Sequence, residues 1–277
     1  MKVVAGKSSP LLSKRIAEKL GCELARTTYK VFPDGELYVR VEGVEDEVIV
    51  VQSINSNDDL VQLMLIFDAV ANADITAVVP YMGYARQDRA FNEGEAVSIR
   101  AVAKLIESYA DRVITVNIHS EKAKSYFKKL VDVDAMPLIG DYYKGRDIVM
   151  ISPDLGSLNR VKVASSHAGC EYDYLEKVRL DAENVEIKPK SLDVKGKDVV
   201  IVDDIISTGG TIVEATKVLK KLGAKSVECA CVHAVLAGDA LNKLFNAGIK
   251  RVIATDTIEK SVSVISVADA IVSALTK

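Results

Sequence analysis

The sequence predicts an α/β protein of two tandem domains, each a mainly parallel sheet flanked by helices. Three observations predict it. Short apolar runs rich in β-branched residues alternate with helix-period stretches along the whole chain. One strand–loop–helix–strand stretch recurs at an offset of 151 positions. A chain of 277 residues, 49% of them hydrophobic, can build two modest cores.

Strands are expected at 2–5, 48–52, 75–80, 112–118, 147–151, 161–165, 199–203, 226–232 and 251–255. Helices are expected at 10–20, 58–72, 96–108, 121–129, 154–160, 211–222, 238–247 and 267–275. The alternation calls for parallel strands joined by crossover helices. In 211–222 apolar residues fall at Ile212, Ala215, Val218, Leu219 and Leu222, and Gly223 is placed to stop the helix. Residues 28–43 break the rhythm. There Phe32-Pro33-Asp34-Gly35-Glu36 sets a turn between alternating runs, the pattern of a hairpin or flap.

The 151-residue offset lays Val48–Val51 on Val199–Val202, Ile54 on Ile205, Ser56 on Ser207 and Ala73 on Ala224. The copies differ where chemistry would sit. Gln52 and Ser53 stand opposite Asp203 and Asp204, and Asp58 and Asp59 opposite Gly209 and Gly210. Two acids in a loop repel phosphate, so only the second copy is fit to bind it. The boundary is expected near Pro137–Gly140, giving domains 1–137 and 138–277.

Net charge is −3, with a pI near 5.8, and lacks the basic surplus of a nucleic-acid binder. Cys22, Cys170, Cys229 and Cys231 form neither a disulfide framework nor a zinc spacing, and the last two belong on one face of a strand. No stretch has the length of a membrane span, and the first residues read as a strand rather than a signal peptide. A cytoplasmic globular protein is the expectation.

The most informative stretch runs from Val199 to Thr211. A buried strand ends in Asp203-Asp204. The loop Ser207-Thr208-Gly209-Gly210-Thr211 then opens a helix. Loop amides and the helix dipole bind phosphate. The carboxylates suit sugar hydroxyls or a divalent metal. Together they point to a ribose phosphate across the strand end. Neither a Walker loop nor a dinucleotide glycine motif is present.

Four further clusters lie at strand ends or on an extended arm. Tyr84-Ala85-Arg86-Gln87-Asp88-Arg89 offers guanidinium forks for phosphate and an amide for a base edge, or else a solvated loop with an Arg89–Asp88 pair. His119 follows a strand and reads as a structural, metal-binding, phosphate-binding or acid–base group, whereas His167 and His233 read as structural. Asp154 either caps a helix or approaches sugar and metal. Lys177 and Arg179 share one side of an extended arm, suited to covering polyphosphate or simply exposed.

In this order, these motifs closely resemble those of the ribose-phosphate diphosphokinase family, also called phosphoribosyl pyrophosphate synthetases. Phe32-Pro33-Asp34-Gly35-Glu36 resembles the family's flap, Arg86-Gln87 its ATP motif and Lys177-x-Arg179 its catalytic-loop pair. The resemblance spans essentially the whole chain and implies two tandem phosphoribosyltransferase-like domains. It implies transfer of the β,γ-diphosphoryl group of ATP to the C1 hydroxyl of ribose 5-phosphate, with Mg²⁺ as cofactor. Ser207, Thr208, Gly209, Gly210 and Thr211 would hold the 5-phosphate, and Asp203 and Asp204 the ribose hydroxyls. Arg86 and Gln87 would contact ATP, with Phe32, Asp34 and Glu36 shaping the adenine site from a neighbouring subunit. His119 and Asp154 would lie at the metal. Lys177 and Arg179 would close over the transferring group, with His119 also among the catalytic residues.

Two departures stand out. Ser207 replaces the family's third loop acid, and Gly94-Glu95-Ala96-Val97-Ser98 lacks an Arg and a Pro usual there. With the short chain, they turn the resemblance towards archaeal-type enzymes and imply a homodimer or homotetramer. Two other readings remain at this stage. One is a phosphoribosyltransferase that consumes phosphoribosyl pyrophosphate. The other is a non-catalytic paralogue that associates with a synthetase.

Overall fold

Val, Ile and Ala supply the buried strands of two sheets, around which the chain divides into two units. The coordinates are a computed structural model describing residues 1–179 and 185–276, without the side chains of 177–179 and 185–188. Unit 1 comprises Met1–Asp134, Thr257–Glu259 and Ser266–Lys277, and unit 2 comprises Ala135–Asp256 and Lys260–Ile265.

Unit 1 begins with β1 (Lys2–Ala5), α1 (Pro10–Leu20), the hairpin β2 (Arg26–Val31) and β3 (Leu37–Glu42), and β4 (Glu47–Val51). It continues with α2 (Asn57–Ala69), β5 (Asp74–Val79), α3 (Ser98–Glu107), β6 (Arg112–Val116), the short α4 (Glu121–Lys124) and β7 (Leu130–Val133). Its sheet runs β1-β4-β5-β6-β7, all parallel. The α1 helix starts on Pro10, whose missing N–H costs nothing there, and ends on Gly21 in the left-handed region, φ 65°. Fully buried Val4, Val50, Leu63, Ile66, Ile99 and Ile106 form the core between strands and helices. Each such side chain contributes about 1.5–3 kcal/mol by leaving water.

Unit 2 begins with α5 (Met136–Tyr143), β8 (Val149–Ser152), α6 (Leu158–Ala168), β9 (Glu171–Arg179), β10 (Val185–Pro189) and β11 (Asp198–Ile205). It continues with α7 (Gly210–Lys221), β12 (Ser226–His233), α8 (Ala240–Ala247), β13 (Val252–Thr255) and β14 (Ser263–Ile265). Its sheet runs β10-β9-β8-β11-β12-β13-β14 and is parallel except for the β9–β10 hairpin. Apart from that hairpin, the strand order repeats that of unit 1, as the offset of 151 implies. Cys229 and Cys231 do share one strand face, fully buried in the core with Ile201 and Leu219.

The last helix, α9 (Ala268–Leu275), belongs to unit 1. It packs on α1, and Arg112 donates to the carbonyls of Ala274 and Leu275. The division at 137/138 expected from the sequence falls inside α5 and assigns α9 to the other side.

Several expected elements change. The strand expected at 161–165 is helical, being the middle of α6. Val161-Lys162-Val163 imitates strand alternation, but Val161, Ala164, Ser165 and Ala168 are the buried set, and that spacing is helical. Gly169, φ 72°, then ends the helix. The helix expected at 154–160 begins only at Leu158, because Asp154–Ser157 form a tight turn. The helix expected at 121–129 stops at Lys124, and β7 follows it. The hairpin expected at 28–43 is present as β2–β3.

Candidate active site

In unit 2 the strand end, the loop and a helix start form one constellation. The α7 helix opens on Gly209, whose φ of 78° is left-handed, and no side chain caps it. Its first amides are therefore left for an outside acceptor, with the positive end of the helix dipole behind them. The hydroxyls of Ser207, Thr208 and Thr211 border the same loop. A cavity of about 580 Å³ lies against it, lined by Asp154, Leu155, Tyr174, Glu176, Gly210 and Thr211 among others. The structure thus brings Asp154 and the loop to one cavity. Asp154 Oδ1 accepts the Ser157 amide at 3.1 Å, so the carboxylate holds the turn rather than the helix itself.

Asp203 and Asp204 end the buried part of β11. Asp204 is only 4% exposed and pairs with Arg160, Oδ2 to Nη2, at 3.1 Å. Asp203 Oδ1 accepts the Ser157 hydroxyl at 2.6 Å and the Asp204 amide at 2.9 Å. Burial, and then the neighbouring Asp204 charge, push the Asp203 carboxyl up to about 7, while the Ser157 hydrogen bond opposes this. With the Asp203 carboxyl so shifted, the two adjacent acids can accept hydroxyl donors without repelling each other fully.

On β9, Lys177 and Arg179 stand in register with Ile187 and Val185. Their side chains lie outside the described residues. Tyr174, Leu175 and Glu176, just before them, line the cavity.

A second constellation forms in unit 1. Buried Asp88, 7% exposed, accepts Arg89 Nε at 2.9 Å and the Ser120 hydroxyl at 2.7 Å. These bonds, that of Arg89 foremost, hold its carboxyl down at about 2. Ser120 also accepts the Ala123 amide and so caps α4. Asp88 thereby ties the Arg86-Gln87 loop to the strand end carrying half-buried His119. Two residues before His119, Asn117 sits at φ 39°, a conformation most side chains avoid, with its amide donating to Asp134. Arg86 is exposed, and Gln87 donates to the Arg89 carbonyl at 3.1 Å. In the flap, Phe32 is 47% exposed and meets Tyr38 edge-on, while Asp34 accepts the Glu36 amide.

Reasoning from sequence missed Ser157 and Arg160, and left Asp88 as half of a surface pair. The Ser157–Arg160 spacing of three is visible in the sequence, but it signals a shared face only on a helix. Both lie in the helix expected at 154–160, but the strand expected at 161–165 cut that helix short and hid the strand its face packs on, β11.

Among the described residues no three potential protein ligands cluster round a metal position. Mg²⁺ is commonly held by one or two carboxylates together with substrate phosphates and water. Exposed Asp154, on the cavity beside the phosphate-binding loop, fits that mode of binding.

Residues 1–109 match the family model described as the N-terminal domain of ribose phosphate pyrophosphokinase, and 122–264 match the phosphoribosyl transferase domain. The chain is 62% identical to ribose-phosphate pyrophosphokinase 2 of Archaeoglobus fulgidus, over 98% of each chain. It is 44% identical to the ribose-phosphate pyrophosphokinase of Methanosarcina acetivorans, over 99% of each. The crystal structure of phosphoribosylpyrophosphate synthetase from Mycobacterium smegmatis superposes with a TM-score of 0.85 at 30% identity, covering 99% of this chain and 97% of that one. With such identity along its whole length, the chain belongs to the ribose-phosphate pyrophosphokinase family.

Proposed function

We propose that the protein transfers the β,γ-diphosphoryl group of ATP to the C1 hydroxyl of ribose 5-phosphate, yielding phosphoribosyl pyrophosphate and AMP for nucleotide synthesis. The observation that carries this reading is the uncapped α7 N-terminus beside Asp203 and Asp204. It offers donors to a phosphate and acceptors to sugar hydroxyls within one strand–loop–helix unit.

Ser207, Thr208, Gly209, Gly210 and Thr211 hold the 5-phosphate, and Asp203 and Asp204 orient the ribose hydroxyls. Arg86 and Gln87 bind ATP. Phe32, Asp34 and Glu36 complete the adenine pocket of a neighbouring subunit in a homodimer or homotetramer, and the exposed Phe32 ring on the flap supports this. Displacement at the β-phosphorus asks for alignment and neutralisation of charge more than for covalent chemistry. Lys177 and Arg179 neutralise the transferring group and exclude water from it. Asp154 would hold Mg²⁺ together with substrate phosphates and water, and His119 would serve as a metal or acid–base group. When bound, Mg²⁺ offsets the negative charge of the ATP phosphates. The enzyme works in the cytoplasm. No helix among the described residues is long and apolar enough to cross a membrane.

Release of AMP from ATP, ribose 5-phosphate and Mg²⁺ tests the proposal. AMP formed only when all three are present supports it. No AMP, or pyrophosphate released only when phosphoribosyl pyrophosphate and a nucleobase are supplied, contradicts it.

A further inference from the structure

We infer that Ser157 and Arg160, one turn apart at the start of α6, are positioning residues that hold the Asp203–Asp204 carboxylates in the arrangement that receives the ribose hydroxyls, a role resting on the ribose-phosphate reading above. Neither residue belongs to the loop that carries the phosphate or to the strand that carries the acids. Both come from the helix packed against β8 and β11.

The physical problem is two adjacent acids at a buried strand end. Like charges so placed repel, and desolvation adds to the cost. Left alone, the pair would protonate or splay apart. Arg160 meets Asp204 at 3.1 Å, with the guanidinium side chain only 26% exposed. Ser157, itself 6% exposed, donates to Asp203 at 2.6 Å. The acids thus receive different partners, one a full cation and the other a neutral donor.

The charged and titratable groups on the neighbouring elements are few. Asp154 follows β8. On β12, Cys231 lies opposite Asp203 in register, its thiol kept neutral by complete burial, and buried His233 lies opposite Ile205. The first turn of α7 carries no charge. Among these described groups Arg160 is the cation that ion-pairs with the acids. The raised pKa of Asp203, caused by burial and then by the Asp204 charge, fits this division, in which its side-chain partner is the neutral Ser157 hydroxyl.

The test compares Arg160→Gln, Arg160→Lys and Ser157→Ala with the unaltered enzyme in steady-state AMP release, varying ribose 5-phosphate, ATP and pH. Arg160→Gln is expected to raise KM for ribose 5-phosphate about 10- to 100-fold, the range for losing a charged hydrogen bond, and leave KM for ATP within about two-fold. The acid limb of kcat/KM for ribose 5-phosphate should move to higher pH, since Asp204 loses its countercharge and the pair its nearby cation. Arg160→Lys should bring the limb back and restore only part of the affinity, because an ammonium lacks the fork. Ser157→Ala should move the limb the same way by a smaller amount. A folded Arg160→Gln with unchanged KM for ribose 5-phosphate and unchanged limb would overturn the assignment. So would a KM for ATP that rises in parallel. If Arg160→Gln does not fold, Ser157→Ala decides, and an unshifted limb there overturns it. An inactive unaltered enzyme would instead strike at the proposed function.

Discussion

Asp59 Oδ2 accepts both the amide and the hydroxyl of Ser56, each at 2.9 Å, and so closes the N-terminus of α2 with the protein's own carboxylate. Ser56 returns a bond by accepting the Asp59 amide at 3.2 Å. At the repeat-related position in unit 2 stands Gly210, which has no side chain to close α7. Gln52, opposite Asp203, is likewise occupied. It accepts Ser8 and donates to Gln62 and the Asp59 carbonyl. One copy of the βα turn is closed by its own side chains, and the other has no side-chain cap.

Asp59→Ala should therefore cost stability and bring no gain in ligand binding. Losing the reciprocal cap is worth about 1 kcal/mol. The urea midpoint should fall accordingly, while KM for both substrates stays unchanged. A change in KM for ribose 5-phosphate would mean that the sealed turn contributes to substrate binding after all.

Gly209→Ala should weaken ribose 5-phosphate binding selectively. At φ 78° an alanine is strained by about 1–2 kcal/mol, and its Cβ would come 3.4 Å from Leu244. Relief of that strain requires the loop to shift, which misaims its amides. A rise of about ten-fold in KM for ribose 5-phosphate, with KM for ATP steady, is the expected result. Equal effects on the two would contradict the loop assignment.

Asp203→Asn should stabilise the fold at high pH while impairing function. The folded carboxyl is raised from 3.8 to about 7, so its favourable contribution is full below 3.8 and is lost as pH rises towards 7. Above 7 the folded state carries the cost of a buried charge. The asparagine should raise unfolding free energy at pH 8 by about 1–3 kcal/mol and change it little at pH 4. Denaturant melts at the two pH values measure this, and a destabilised variant at pH 8 would refute it. The same variant should lose most affinity for ribose 5-phosphate, a trade of stability for binding.

Asp88→Asn should act on the other substrate. Its folded carboxyl is lowered from 3.8 to about 2, so its contribution is present above 3.8 and disappears as pH falls through 2. The variant loses a charged acceptor for Arg89 and Ser120, loosening the loop that carries Arg86 and Gln87. KM for ATP should rise about ten-fold at neutral pH, and the stability gap to the unaltered enzyme should close as pH falls from 4 towards 2. A gap that persists there would point to packing rather than charge.

Much of the architecture was legible because its signals are local. The β-branched run at Val199–Val202, the acids after it and the glycines at the start of α7 all sit within one strand–loop–helix stretch. The repeat was legible because an ungapped offset keeps Val48 on Val199 and Ser56 on Ser207. What stayed hidden was non-local. Arg160 reaches Asp204 across 44 positions only because α6 packs on β11, and the residues just after it imitate a strand. Asp88 and Ser120 meet across 32 positions, so sequence showed only the neighbouring Arg89 as a partner. The return of α9 to unit 1 has no sequence cue, because an amphipathic helix can pack on either sheet.

In the proposed reaction the open βα turn of unit 2 receives ribose 5-phosphate as acceptor of an intact diphosphoryl group. Phosphorus NMR of a turnover mixture containing ATP, ribose 5-phosphate and Mg²⁺ tests it most directly. The predicted spectrum shows AMP and a sugar-linked diphosphate growing in equal amounts, with Gly209→Ala slowing both. Growth of ADP with a singly phosphorylated C1, or of free inorganic phosphate alone, would contradict it.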